Sequence, residues 1–212
     1  TGLIAIENTH NSCGGSVLTP EYIKDIALVA MEHTIPLHID GARIFNASVR
    51  LDLPVSELVK HADSVTFCLS KGLGAPVGSI LCGSIEFIGK ARRWRKVLGG
   101  GMRQAGVIAA AGLVALETMV QRLADDHENA QALALGLSEL PHIELLYGSP
   151  TTNIVFVKVN RNWSSELVRR LAETGVKIGD RGDGIWRFVT HNGISASDID
   201  YAISSIDSII RG

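Results

Sequence analysis

The chain has 212 residues, of which 46% are hydrophobic and 20% charged, with a formal net charge of -2. That is long enough for one or two domains with a real core, and the composition is that of a globular protein, not a disordered or fibrous one. The near-neutral charge gives no basis for a nucleic-acid or anionic-membrane partner, and no apolar run approaches the roughly 20 residues of a membrane span.

The three cysteines, Cys13, Cys68 and Cys82, are odd in number and lie in or beside apolar segments. They read as reduced thiols of a cytoplasmic protein, with no metal-like spacing. The chain opens at Thr1 without a Met or a basic n-region, so no signal peptide is expected. A strand-like run is already under way at Leu3, Ile4, Ala5 and Ile6, so further sequence is expected upstream.

Residues 3–7 read as a strand, followed by the polar, glycine-closed loop Asn8-Thr9-His10-Asn11-Ser12-Cys13-Gly14-Gly15. Loops at the C-terminal ends of strands are where open α/β sheets hold ligands. Thr19-Pro20-Glu21 is a helix start with an N-cap, Pro at the first position and an early acid. Ile23, Ile26, Ala27, Ala30 and Met31 then recur at helical spacing. Residues 36–39 form a short strand that ends in Asp40-Gly41-Ala42-Arg43, and two short helices reach about His61.

Residues 64–69 alternate as a strand and deliver Ser70 and Lys71 into a turn with Gly72, Gly74, Pro76 and Gly78. Residues 80–82 form one more short strand. Alternating strands and helices predict βαβ units and a mainly parallel sheet with some antiparallel members. Residues 85–96 are helical and end in the basic group Lys90, Arg92, Arg93, Arg95 and Lys96, stopped by Gly99-Gly100-Gly101. A long, small-residue-rich helix is expected over residues 102–123, able to pack closely on both sides, and another over residues 125–140.

The remainder changes character. Residues 152–159 alternate as a strand, Ser164 caps a helix that stops at Gly175, and residues 176–178 and Ile185–Val189 are short strands. Ser195 and Asp198 open the final helix. The expected organisation is residues 1–121 as the C-terminal part of a large domain and residues 122–212 as a small α+β domain.

Two of these residues have the chemistry of a cofactor site. Asp40 and Lys71 each follow a strand, so in neighbouring parallel strands both emerge at one sheet edge. A salt bridge or plain solvent exposure is one account of such a pair. The other is pyridoxal phosphate (PLP), which needs a lysine for its carbonyl carbon and an acid beside its ring nitrogen. For Lys71 alone, a packed stem with its ammonium in water is the simpler reading. The three glycines of the turn point instead to a backbone shaped around a ligand.

His38-Ile39-Asp40-Gly41-Ala42-Arg43, followed by Ser70-Lys71-Gly72-Leu73-Gly74-Ala75-Pro76-Val77-Gly78-Ser79, resembles the threonine aldolase family of fold-type I PLP enzymes. Glu7-Asn8-Thr9-His10-Asn11 with Gly14-Gly15, Leu98-Gly99-Gly100-Gly101-Met102-Arg103-Gln104-Ala105-Gly106 and Arg187-Phe188-Val189-Thr190-His191 are similar to further family segments, in family order. The resemblance implies an α/β, PLP-dependent transferase-like fold. It also implies an aldolase that splits β-hydroxy-α-amino acids such as threonine or allo-threonine into glycine and an aldehyde.

By the same resemblance, Lys71 is the catalytic, cofactor-linked lysine and Asp40 the partner of the pyridinium nitrogen. Arg43 and Arg187 hold the amino-acid carboxylate or the cofactor's oxygens, as a planar guanidinium fork is suited to do. Ser70 contacts the cofactor, and the loop of Asn8 and His10 covers the substrate. Lys96 and Arg103 reach the cofactor of a neighbouring subunit in a homo-oligomeric dimer or tetramer. The other readings of these residues stay open: surface or ion-paired positions for Arg43 and Arg187, a solvated basic face for Lys96 and Arg103, ordinary turn residues for Asn8, His10 and Ser70. His38 and His191 read as structural.

The family's phosphate-cradling loop and the ring that stacks on the cofactor have no counterpart in this chain. The resemblance therefore implies that the N-terminal third is missing from this chain, being a separate chain, a disordered segment or a stretch cut away from the sequence. Another fold-type I PLP lyase or an aminotransferase, and a non-catalytic fragment, are the competing readings.

Overall fold

The computed structural model describes residues 1–159 and 164–211. The chain divides into two compact units, Thr1–Thr9 with Val17–Leu123, and His10–Ser16 with Ala124–Gly212.

The first unit is built on a four-stranded mixed sheet in the order β1 (Ile4–Glu7), β2 (Leu37–Asp40), β3 (Ser64–Cys68), β4 (Ser79–Gly83). β1 runs parallel to β2 and β2 parallel to β3, with Asp40 opposite Thr66, while β4 returns antiparallel to β3. Helix α1 (Pro20–Glu32) crosses between β1 and β2 and buries Ile23, Ala27 and Ala30, residues spaced four and three apart on one stripe. Its start follows the sequence: the Thr19 hydroxyl accepts from the Tyr22 N–H, and Pro20 occupies the first turn. Helices α2 (Ile44–Leu51) and α3 (Val55–Val59) complete that side, where Leu37, Ile39, Ile44, Ala47 and Leu58 are all but inaccessible. A second cluster joins Leu69, Leu73 and Ala75 of the lysine turn to Ala115 and Leu123.

Helix α4 (Ile85–Val97) is capped by Ser84, whose hydroxyl accepts from the Phe87 N–H, and it buries none of its residues. Helix α5 is shorter than the sequence predicts, Gly106–Thr118 rather than residues 102–123. It begins late because Gln104 adopts a left-handed backbone with φ 53°, which a helix does not accommodate. Nor is it packed on both sides: it buries Gly112 and Ala115 but exposes Val107, Leu113 and Val114.

The second unit holds an antiparallel sheet in the order β5 (Ile143–Leu145), β6 (Ile154–Val159), β8 (Ile185–Val189), β7 (Gly179–Asp180). Strand β5 has no counterpart among the sequence expectations, and β7 lies just after residues 176–178, where a strand was expected. Helices α6 (Leu123–Ser138), α7 (Ser164–Glu173) and α8 (Ala196–Arg211) supply the core against Val155, Val157, Trp186 and Phe188. The side chain of Ser164, expected to cap α7, lies outside the described residues. The cap of α8 is as expected: the Asp198 carboxylate accepts from the Ser195 N–H at 2.8 Å, and the Ser195 hydroxyl accepts from the Asp198 N–H at 3.3 Å.

The opposite face of this sheet is covered by the His10–Ser16 segment, which contains a 3-10 turn over Asn11–Cys13. The Tyr147 hydroxyl donates to the Ser12 carbonyl at 2.9 Å, and the Thr152 hydroxyl to the Gly15 carbonyl at 2.8 Å. Gly15 is required there, since its φ is +72° and a Cβ would sit 2.6 Å from the Thr152 hydroxyl oxygen.

Candidate active site

In the first unit the candidate residues gather past the C-terminal edge of the parallel strands. Asp40 is the last residue of β2 and is exposed. One of its carboxylate oxygens, Oδ1, accepts from the Ala42 N–H at 3.0 Å, a local turn that fixes the side chain against its own loop. Gly41 continues the pairing beside β3: its N–H donates to the Thr66 carbonyl at 2.7 Å, and a Cβ would lie 2.7 Å from that same oxygen. A close backbone approach thus requires the glycine after Asp40.

Lys71 stands three residues beyond the end of β3, exposed beside exposed Ser70. Its turn is closed by the Gly74 N–H on the Lys71 carbonyl and the Ala75 N–H on the Leu69 carbonyl. Below it Leu69 and Leu73 are buried, and a Cβ on Gly72 would meet Leu123, so that glycine is needed for packing against the unit's own core. Among the described residues Lys71 makes no ion pair or side-chain hydrogen bond. The parallel register of β2 and β3 thus brings a carboxylate and an amine to one sheet edge, the ligand-binding edge of open α/β sheets.

The other candidates of this unit differ in setting. Arg43 is partly exposed and occupies the N-cap position of α2. Asn8 is fully buried: its amide donates to the Leu18 carbonyl and accepts from the Leu18 N–H, both at 3.1 Å. The side chain therefore clamps the two ends of the His10–Ser16 excursion. Lys96 lies in the last turn of α4 and Arg103 in the exposed stretch before α5. Exposed Trp94, Val97, Leu98 and Met102 surround them in sequence.

In the second unit His10 is partly exposed, and its backbone N–H donates to the Ser16 carbonyl at 2.9 Å to close the loop. Arg187 projects from the face of β8 opposite Trp186 and Phe188, with Phe156 as its cross-strand partner. Its Nη1 donates to the Asn11 Oδ1 at 2.7 Å. Its Nε is buried and has no hydrogen-bond acceptor among the described residues. Burial pushes the guanidinium pKa below its usual value, and the charge of nearby Arg181 adds to that push. A partly buried cation next to a second cation, with a buried donor to spare, has the chemistry to receive an anion.

The family described as beta-eliminating lyase matches residues 1–162. The chain belongs to that family. It is 46% identical over 207 residues to low-specificity L-threonine aldolase 1 of Arabidopsis thaliana, covering 96% of this chain and 58% of the relative. It is 43% identical over 199 residues to the low specificity L-threonine aldolase of Escherichia coli strain K12, covering 94% of this chain and 57% of the relative. Among solved structures, the threonine aldolase of Leishmania major matches with a TM-score of 0.77 at 20% identity, the match covering 98% of this chain and 61% of that one. The α/β fold is thus shared, and the chain spans under two thirds of the length of these family relatives.

Sequence reasoning did not single out Asn11 or Arg181, although both bear on Arg187. Asn11 carries a weak signal, since it closes the Glu7-to-Asn11 segment that resembles the threonine aldolases. Nothing local marks Arg181.

Proposed function

We propose that the protein is a PLP-dependent aldolase that cleaves β-hydroxy-α-amino acids, threonine or allo-threonine, to glycine and an aldehyde. The observation that carries this reading is the pairing of Asp40 and Lys71 at one edge of parallel strands β2 and β3. Family membership supports it, since the family is PLP-dependent, as do relatives named L-threonine aldolases at 43–46% identity.

The residues fit the cofactor by their chemistry. Lys71 has a solvent-facing amine without a competing partner among the described residues, and Asp40 has one oxygen committed to its own turn and the other available. Bound PLP supplies a carbonyl carbon for an amine and a ring that accepts electrons released at the substrate's Cα. Lys71 Nζ would hold the cofactor covalently and give it up to the substrate amine. Asp40 would keep a ring nitrogen protonated by hydrogen-bonding it as a carboxylate. Ser70 would contact the cofactor beside Lys71.

Arg187 would take the substrate carboxylate, because its Nε and its charge are otherwise unmatched among the described residues. Arg43 would bind the carboxylate or a cofactor oxygen, and the loop of His10, held at its base by Asn8, would lie over the substrate. Fixing the carboxylate fixes the rotation about the amine-to-Cα bond, and so selects the bond that breaks. In the overall reaction the β-hydroxyl loses its proton, the Cα–Cβ bond breaks, the aldehyde leaves, and Cα regains a proton as glycine.

We place Lys96 and Arg103 at a subunit boundary of a homo-oligomer, reaching a neighbour's cofactor. The exposed Trp94, Val97, Leu98 and Met102 support that position, since grouped apolar side chains at a surface mark contact with another chain. The free thiols of Cys13, Cys68 and Cys82 support a cytoplasmic setting. Product analysis with threonine tests the reaction. Acetaldehyde and glycine in equal amounts are expected, whereas a keto acid would identify an aminotransferase or another lyase of the fold.

A further inference from the structure

The structure assigns to Asn11 the task of orienting Arg187 for an anionic substrate group, an inference that rests on the carboxylate role of Arg187 proposed above. Arg187 has five N–H donors. Among the described residues its side chain makes one hydrogen bond, from Nη1 to the Asn11 Oδ1 at 2.7 Å. No carboxylate pairs with it among those residues, and the charge that acts on it is the like charge of Arg181. Its buried Nε is left without an acceptor.

The type of residue at position 11 decides what this contact can do. An aspartate there would hold the guanidinium equally well but neutralise it, and would compete with a carboxylate ligand for the same donors. The asparagine amide oxygen is a neutral acceptor of the same shape. It restrains one arm of the fork while leaving the charge and the Nε donor for a ligand. Asn11 is itself held in place. It opens the 3-10 turn Asn11–Cys13, which the Tyr147 hydroxyl pins at the Ser12 carbonyl, and the Thr152 hydroxyl holds the end of the same loop at the Gly15 carbonyl.

The space beside Arg187 is also kept open on one side by a glycine. Gly179 lies opposite it on β7, and a Cβ there would come 3.3 Å from the Arg187 carbonyl oxygen and 3.9 Å from its Nε. Asn11 therefore acts through Arg187. It is a positioning residue, and its contribution is to substrate binding.

The test is the kinetics of Asn11→Ala, Asn11→Asp and Arg187→Ala in the full-length holoenzyme with threonine. Asn11→Ala is expected to raise KM about tenfold with kcat lowered less than about threefold, the pattern of lost binding. Asn11→Asp keeps the shape of the side chain and adds a charge, so it is expected to raise KM further than Asn11→Ala. A simple packing role predicts the opposite order, since the near-isosteric change would be the milder one. Unchanged KM in both Asn11 variants, with a raised KM in Arg187→Ala, would overturn the role of Asn11 and leave the carboxylate reading standing. An unchanged KM in Arg187→Ala would overturn both. If Asn11→Ala loosens the loop, Asn11→Asp alone carries the decision.

Discussion

Asp40 and Gly41 work as one unit. The carboxylate can sit at the end of β2 in a fixed turn only because the next residue has no side chain to strike the Thr66 carbonyl. Gly41→Ala would force backbone apart at the junction of β2 and β3. It is expected to destabilise the protein by about 1–3 kcal/mol, as overpacking does, and to weaken PLP binding, both measurable by denaturant unfolding and cofactor titration. Residues of this kind were legible from the sequence because their positions follow strand ends: Asp40 and Lys71 are each next to a recognisable apolar run. Asn11 was not, since its partner lies 176 residues away and no local pattern connects them. The amide of Asn8 shows the same limit, as both of its groups are spent on Leu18 across a loop whose path the sequence does not give.

The helices with strong start signals formed where the sequence placed them. For α1 the cap is one hydrogen bond from the Tyr22 N–H to the Thr19 hydroxyl, so Thr19→Ala is expected to cost about 1 kcal/mol in a chemical melt. At the start of α8 the Ser195 hydroxyl, and then the Ser195 backbone N–H, hold the Asp198 carboxyl below its usual pKa. A carboxyl lowered in the folded state stabilises above its unfolded pKa and loses that contribution as pH falls through the folded one. The difference in Tm between the wild type and Asp198→Asn, present at neutral pH, is therefore expected to shrink as pH drops below about 4.

Three elements without such signals, α5, β5 and β7, differ from what the sequence predicts. An apolar, alanine-rich run looks helical over residues 102–123, yet a single left-handed residue, Gln104, delays the helix to Gly106. The three-residue strand β5 is too short to show a period, and it exists because β6 pairs with it. Strand β7 is placed by its pairing with Trp186 and Arg187, a register that residues 176–178 do not carry.

At the scale of the whole molecule, Asp40 and Lys71 belong to one compact unit and Arg187 to the other. Segment His10–Ser16 belongs by its contacts to the second unit, although the first unit contains the residues on either side of it. The chain covers 57–58% of its aldolase relatives in Arabidopsis thaliana and Escherichia coli, so the activity proposed is that of the whole protein. The proposed chemistry is local, with Lys71 as the proposed point of cofactor attachment. Incubation of the full-length protein with PLP, borohydride reduction and peptide mapping measures this directly. A phosphopyridoxyl group on the peptide containing Lys71, absent from Lys71→Arg, is the predicted result. A protein that takes up no label, or takes it up on another lysine, would contradict attachment at Lys71.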